Sequence, residues 1–159
     1  MKINFVLVDF ENVQPKNVSL LSGGPYKIKV FLGANQAKIP LEMARALQTC
    51  GPDAEYIQIE GNGKNALDFH IAYYIGRLAG ETPDAYFHVI SKDTGFDPLI
   101  KHLKAQKISC QRSKSIADIP LAKILNSDSI PEKVDAVIDN LVRRKAAKPR
   151  TVKTLRRTI

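Results

Sequence analysis

Tryptophan is absent from this 159-residue chain, and cysteine occurs only at Cys50 and Cys110. Two isolated thiols without metal-ligand spacing exclude a disulfide-stapled scaffold and a thiolate metal site. They read as reduced core residues of a cytoplasmic protein. No apolar run approaches ~20 residues, which excludes a membrane-spanning helix. The opening Met1-Lys2-Ile3-Asn4 leads directly into a strand pattern rather than a signal peptide. Internal repeats and low-complexity tracts are lacking as well. The last scarcity is local: all 16 Asp and Glu lie at or before Asp139.

What is present fits one globular domain with a short appendage. Hydrophobic residues make up 44% and charged residues 25% of the chain, which is ordinary for a soluble fold with its own core. Arg143 to Ile159 holds eight Lys or Arg and no acid, so residues 1–142 are neutral and the end carries the whole +8. Such a segment attracts a polyanion, and nucleic acid is the commonest one. The pattern predicts an α/β domain over 1–127 and a basic helical tail over 128–159.

The hydrophobic pattern is organised around Asn4 to Val13. Ile3 and Phe5 to Val8 form a nearly unbroken apolar run, as in a central parallel strand buried on both faces. A second strand is predicted over Tyr26 to Leu32, a third over Ala54 to Ile59, a fourth over Ala85 to Ser91 and a fifth over Ile108 to Gln111. Helices are predicted between them. Pro40 opens one, with Leu41, Ala44, Leu47 and Met43 as its inner stripe. A long helix over Ala66 to Ala79 carries Leu67, Ile71, Tyr74, Ile75 and Leu78 and stops at Gly80; another runs from Phe96 to Lys104. Prolines open two more, at Pro120 and Pro131. Strand and helix alternate, which implies a three-layer α/β/α domain with a parallel sheet of about five strands.

The candidate chemistry lies at the sheet's carboxyl edge, where open α/β sheets build their sites. Asp9 ends the first strand, with Glu11 and Asn12 beside it, and Asp93 follows the fourth. Asp68 and Asp97 stand in the first turns of two helices. If the first and fourth strands are neighbours, these four carboxylates face one crevice. Carboxylates brought together repel unless a cation sits between them, and oxygen donors suit Mg²⁺ or Mn²⁺. Such an ion activates water and neutralises charge at phosphorus, so the implied chemistry is phosphate-ester hydrolysis. Each acid also has a plainer use: Asn65 with Asp68, and Thr94 with Asp97, have the spacing of helix caps. The turn Gly61 to Asn65 could cradle a phosphate with Lys64 as counter-charge. Lys64, Asn65, Lys92 and Thr94, with Arg143, Arg144, Lys148 and Arg150 in the tail, are candidate substrate contacts.

Three blocks, V-D-F-E-N-V, G-K-N-A-L-D-F-H-I-A-Y-Y-I-G and S-K-D-T-G-F-D-P-L-I, resemble those of PIN-like nucleases of the NYN type. The likeness covers about Ile3 to Arg112. It implies a parallel sheet of order 3-2-1-4-5 and a metal-dependent ribonuclease. Carried over block by block, the catalytic positions are Asp9 and Asn12, then Asp68, then Asp93. Many relatives carry Asp two residues beyond the third-block aspartate, where this chain has Gly95, and Asp97 is the nearby substitute. The tail is similar to the opening of a winged-helix module, shortened here or replaced by a basic arm.

The expectation is a cytoplasmic endoribonuclease that uses Mg²⁺ or Mn²⁺, acts on RNA and is compatible with a homodimer. Three other readings stay open. The domain could bind nucleic acid without cutting it. It could be a phosphatase with Asp9-Phe10-Glu11 as its D-x-D pair. It could also be a receiver domain, although Glu60 stands where the acceptor aspartate belongs.

Overall fold

The computed structural model describes residues 2–119. The helices expected in 120–125 and 131–144, and the tail residues Arg143, Arg144, Lys148 and Arg150, lie outside the described residues. Strand β1 (Asn4–Asp9) is buried at every position. It pairs in parallel with β2 (Tyr26–Leu32) on one side and β4 (Tyr86–Ile90) on the other. The edges are β3 (Ala54–Gln58) beside β2 and β5 (Ser109–Ser113) beside β4, giving the expected order β3-β2-β1-β4-β5. The progression of strand order reverses between β1 and β4, which brings Asp9 and the residues after Ile90 to one edge.

Period-two alternation sorts the side chains into two layers. Phe5 and Leu7 of β1, Phe31 of β2, Phe87 and Val89 of β4 and Cys110 of β5 share one core. This core packs beneath α2 (Ala66–Glu81), through Leu67, Ile71, Ile75 and Leu78, and beneath α3 (Asp97–Ala105), through Ile100 and Leu103. The other face carries Val6, Val8, Ile28 and Val30, all buried. Helix α1 (Leu41–Thr49) inserts Met43 and Leu47 and packs against the 3₁₀ turn Val18–Leu21 and against β3.

Several boundaries differ from the sequence pattern, each for a local reason. Leu41 is exposed rather than part of the inner stripe of α1, because it stands at the first helical position and points away from the sheet. Gly80 does not stop α2; the helix continues to Glu81, and Thr82 caps it with its N–H on the Leu78 carbonyl at 2.8 Å. Pro83 then bars the α conformation at Thr82. Strand β5 starts at Ser109 rather than Ile108, because Lys107 takes a left-handed φ of 65° and the Ile108 N–H turns back to the Leu103 carbonyl. Residues Thr94–Phe96 form a 3₁₀ turn before α3, so Thr94 is not the cap of an α-helix beginning at Phe96.

Candidate active site

Asp9 is fully buried at the end of the central strand. It has the parity of Phe5 and Leu7, so its carboxylate points to the layer beneath α2. Its Oδ2 accepts two hydrogen bonds, from Asn12 Nδ2 at 2.6 Å and from Ser91 Oγ at 2.8 Å. Its Oδ1 has no hydrogen-bond partner. An ionised carboxylate kept dry with one oxygen bare costs several kcal/mol unless something positive reaches it.

Ser91 links the two strand ends. It is fully buried, donates to Asp9 and accepts the Asp93 backbone N–H at 3.0 Å. The side chain of Asp93 has a structural use as well: Oδ1 accepts the Gly95 N–H at 2.8 Å and so caps the 3₁₀ turn. A Cβ on Gly95 would lie 2.9 Å from that same Oδ1. Any side chain there must push the Asp93 carboxylate off its cap.

Asp68 enters from the first turn of α2. Its carboxyl is pushed up to about 6 by partial burial first, then by the charges of Asp9 and Asp93, by a hydrogen bond with Asp93 and by the charge of Glu11. Four acids therefore sense one another at this edge. Glu11 is the one not singled out as a site residue; its Oε2 lies where a Cβ on Gly33 would be, 2.8 Å away, so the glycine at the end of β2 makes room for it.

Asp97 is drawn out of the group. Arg112 on β5 grips it through Nε at 2.8 Å to Oδ1 and through a second nitrogen at 3.2 Å to Oδ2. This pairing holds the Asp97 carboxyl below its usual range. Arg112 also donates to the Ser91 carbonyl at 3.2 Å. Among the described residues, no three His, Cys, Asp or Glu side chains are arranged to hold a metal ion as they stand. The convergence of four carboxylates expected from the sequence is thus incomplete, for a physical reason. Asp93 is held by a backbone N–H and Asp97 by a guanidinium. The donor set still suits a hard divalent ion, being all oxygen, and the bare buried Oδ1 of Asp9 is the atom such an ion would satisfy.

The other expected residues surround this edge. Lys64, Asn65, Lys92 and Thr94 are all exposed. Asn65 occupies the N-cap position of α2 with φ 62°, and its side chain makes no capping bond. The Gly61 to Asn65 turn is tied to the loop after β2 by Asn35 Nδ2 on Asn62 Oδ1 at 3.3 Å. A cavity of about 480 Å³ lined by Gln14, Lys16, Asn17, Pro40, Glu42 and Met43 lies elsewhere, and none of the four aspartates lines it.

The sequence pattern missed Ser91 and Arg112 as site-shaping residues. Ser91 was legible in principle, because it continues the alternation of Phe87 and Val89 past the strand end. Arg112 was not, since its reach to Asp97 depends on the register of β4 with β5.

The PIN-domain family model matches residues 3–113 of the chain. Comparison with curated proteins and with solved structures returns no match.

Proposed function

The chain belongs to the PIN-domain family, and from that membership we propose that it is a metal-dependent endoribonuclease of the NYN type. PIN domains are commonly nucleases that use Mg²⁺ or Mn²⁺. The observation that carries the reading is Asp9: a carboxylate at the central strand end, wholly buried, with Oδ2 doubly bonded and Oδ1 bare. The three motif blocks support the NYN subtype, and the tail's winged-helix likeness belongs to the same reading.

Asp9, Asp68 and Asp93 would hold the ion. Bound there, it supplies activation of water and neutralisation of charge at phosphorus. Asn12 and Ser91 fix the orientation of Asp9 by occupying Oδ2. To act as a ligand Asp68 would have to be ionised, so protonation would compete with ion binding below about pH 6. Lys64, Lys92 and the basic tail hold phosphates as point charges. Asp9→Asn or Asp93→Asn is expected to lower Mn²⁺-dependent RNA cleavage by about 100-fold or more, the scale of the charge stabilisation removed. Circular dichroism should report an unchanged fold. Undiminished cleavage in both variants would remove the assignment.

A specific observation favours a second reading, a module that binds nucleic acid without cutting it. Asp97 is clamped by Arg112, and Gly95 stands where relatives carry an acid, so fewer carboxylates are free to bind an ion than the family pattern supplies. Binding without any cleavage in Mn²⁺ would select it. The phosphatase reading is disfavoured because Glu11 stands where the second aspartate of a D-x-D pair belongs. The receiver reading fails on topology: β3 is an edge strand here, whereas the flavodoxin-like order places it beside β1.

A further inference from the structure

Helix α2 bears on its outer side two large rings that the core does not use. Phe69 is 70% and Tyr73 60% exposed, and exposed large apolar side chains are few among the described residues. They stand four residues apart and so share one stripe, and Arg77 continues it one turn further. The stripe begins next to Asp68, the helix residue that meets Asp9 and Asp93, and runs away from the acidic edge with a group every ~6 Å.

The second ring is held rather than loose. Tyr74 packs edge-on against Phe31 of the core at 5.3 Å, and Tyr73 packs edge-on against Tyr74 at 5.3 Å. The Arg77 guanidinium lies 4.7 Å from the Tyr74 ring centroid and 6.0 Å from that of Tyr73. Gly76, one turn below Tyr73, adds no side chain, and even a Cβ there would meet nothing within 4 Å. The open ring faces are therefore accessible, and Arg77 supplies a cation beside them; its pairing with Glu81 one turn on, 3.6 Å from Nε to Oε2, is solvent-exposed and weak enough for a phosphate to compete with it. That combination suits unpaired bases on a phosphate backbone: rings for the bases, guanidinium for a phosphate. It does not suit a duplex, whose base faces are already stacked.

We infer that Phe69, Tyr73 and Arg77 form a stacking platform for single-stranded RNA, leading the strand to the acidic edge. The inference rests on the nuclease reading for the direction of the strand. It adds to that reading a place, the outer stripe of α2, where the bases of the strand are held.

The test uses the full chain, with binding followed by anisotropy of a labelled single-stranded RNA in EDTA and cleavage followed in Mn²⁺. Phe69→Ala combined with Tyr73→Ala should weaken single-strand binding about 10- to 100-fold. Binding of an abasic strand, duplex binding, the salt slope and the melting temperature should be unchanged, since the rings removed are neutral and exposed. Phe69→Trp should restore binding, and in this tryptophan-free chain its fluorescence should be quenched by the single strand.

Equal binding by wild type and double variant overturns the platform; Asp9-dependent cleavage in that case leaves the nuclease reading standing alone. Ring-dependent binding with no cleavage supports the platform and removes the nuclease. Neither binding nor cleavage removes both. Self-association abolished in the double variant, with RNA binding unaffected, overturns the platform in favour of an interface between copies of this chain.

Discussion

A carboxylate buried in a protein interior must be neutralised, bonded or paired, and at this edge each acid meets that demand differently. Asp9 spends one oxygen on Asn12 and Ser91. Asp97 takes a guanidinium, and the Asp68 carboxyl is pushed up to about 6. The last has a consequence that can be measured on metal-free protein. The folded state holds the Asp68 proton up to about 6 against an ordinary 3.8, so it binds protons more tightly than the unfolded chain does. The stability this contributes is full below about pH 3.8 and is lost as pH rises through 6. Asp68→Asn should therefore flatten the fall in melting temperature between those limits, and parallel curves for variant and wild type would contradict it. Ser91→Ala should leave the Asp9 carboxylate under-bonded and lower stability by about 1–3 kcal/mol in denaturant titrations. An unchanged midpoint would show that the Ser91–Asp9 bond contributes nothing net.

At the scale of elements, α2 divides its faces: its inner stripe is core, its first turn carries Asp68, and Phe69 and Tyr73 lie exposed on its outer side. Ile71 is fully buried against the sheet, so Ile71→Ala should cost about 2–5 kcal/mol in denaturant unfolding. A cost under ~1 kcal/mol would mean the helix is not packed as described. This helix also shows how much the sequence discloses. Leu67, Ile71, Ile75 and Leu78 were legible because a 3.6-residue apolar stripe has one interpretation, and β2 was legible because alternation from Tyr26 to Val30 runs on into the apolar Phe31 and Leu32. The end of α2 was less legible, because glycine at position 80 permits termination without requiring it, whereas Pro83 requires it. Among site residues, Asp9, Asp68 and Asp93 were marked by their place at element ends. The use of Asp93 as a cap, the capture of Asp97 by Arg112 and the approach of Glu11 to Gly33 depend on register and side-chain reach, which periodicity does not encode.

Over the whole molecule, the order β3-β2-β1-β4-β5 brings the ends of β1 and β4 to one edge, and the eight Lys and Arg from Arg143 onward account for the net charge of +8. Substituting Arg143, Arg144, Lys148 and Arg150 by Ala should reduce the slope of log binding constant against log salt by about 0.7 for each phosphate no longer neutralised. The loss of single-strand binding expected for Phe69→Ala with Tyr73→Ala should persist in that background. An unchanged slope would show that the tail does not touch the strand. The central claim is narrower than these: Asp9, Asp68 and Asp93 share one divalent cation. It is tested most directly by anomalous diffraction from a crystal soaked in Mn²⁺. The expected result is a peak bounded by Asp9 Oδ1 and the carboxylates of Asp68 and Asp93, with Asp93 drawn off the Gly95 N–H. The contradicting result is no peak at that edge, with Asp93 still capping its turn and Asp9 Oδ1 still bare.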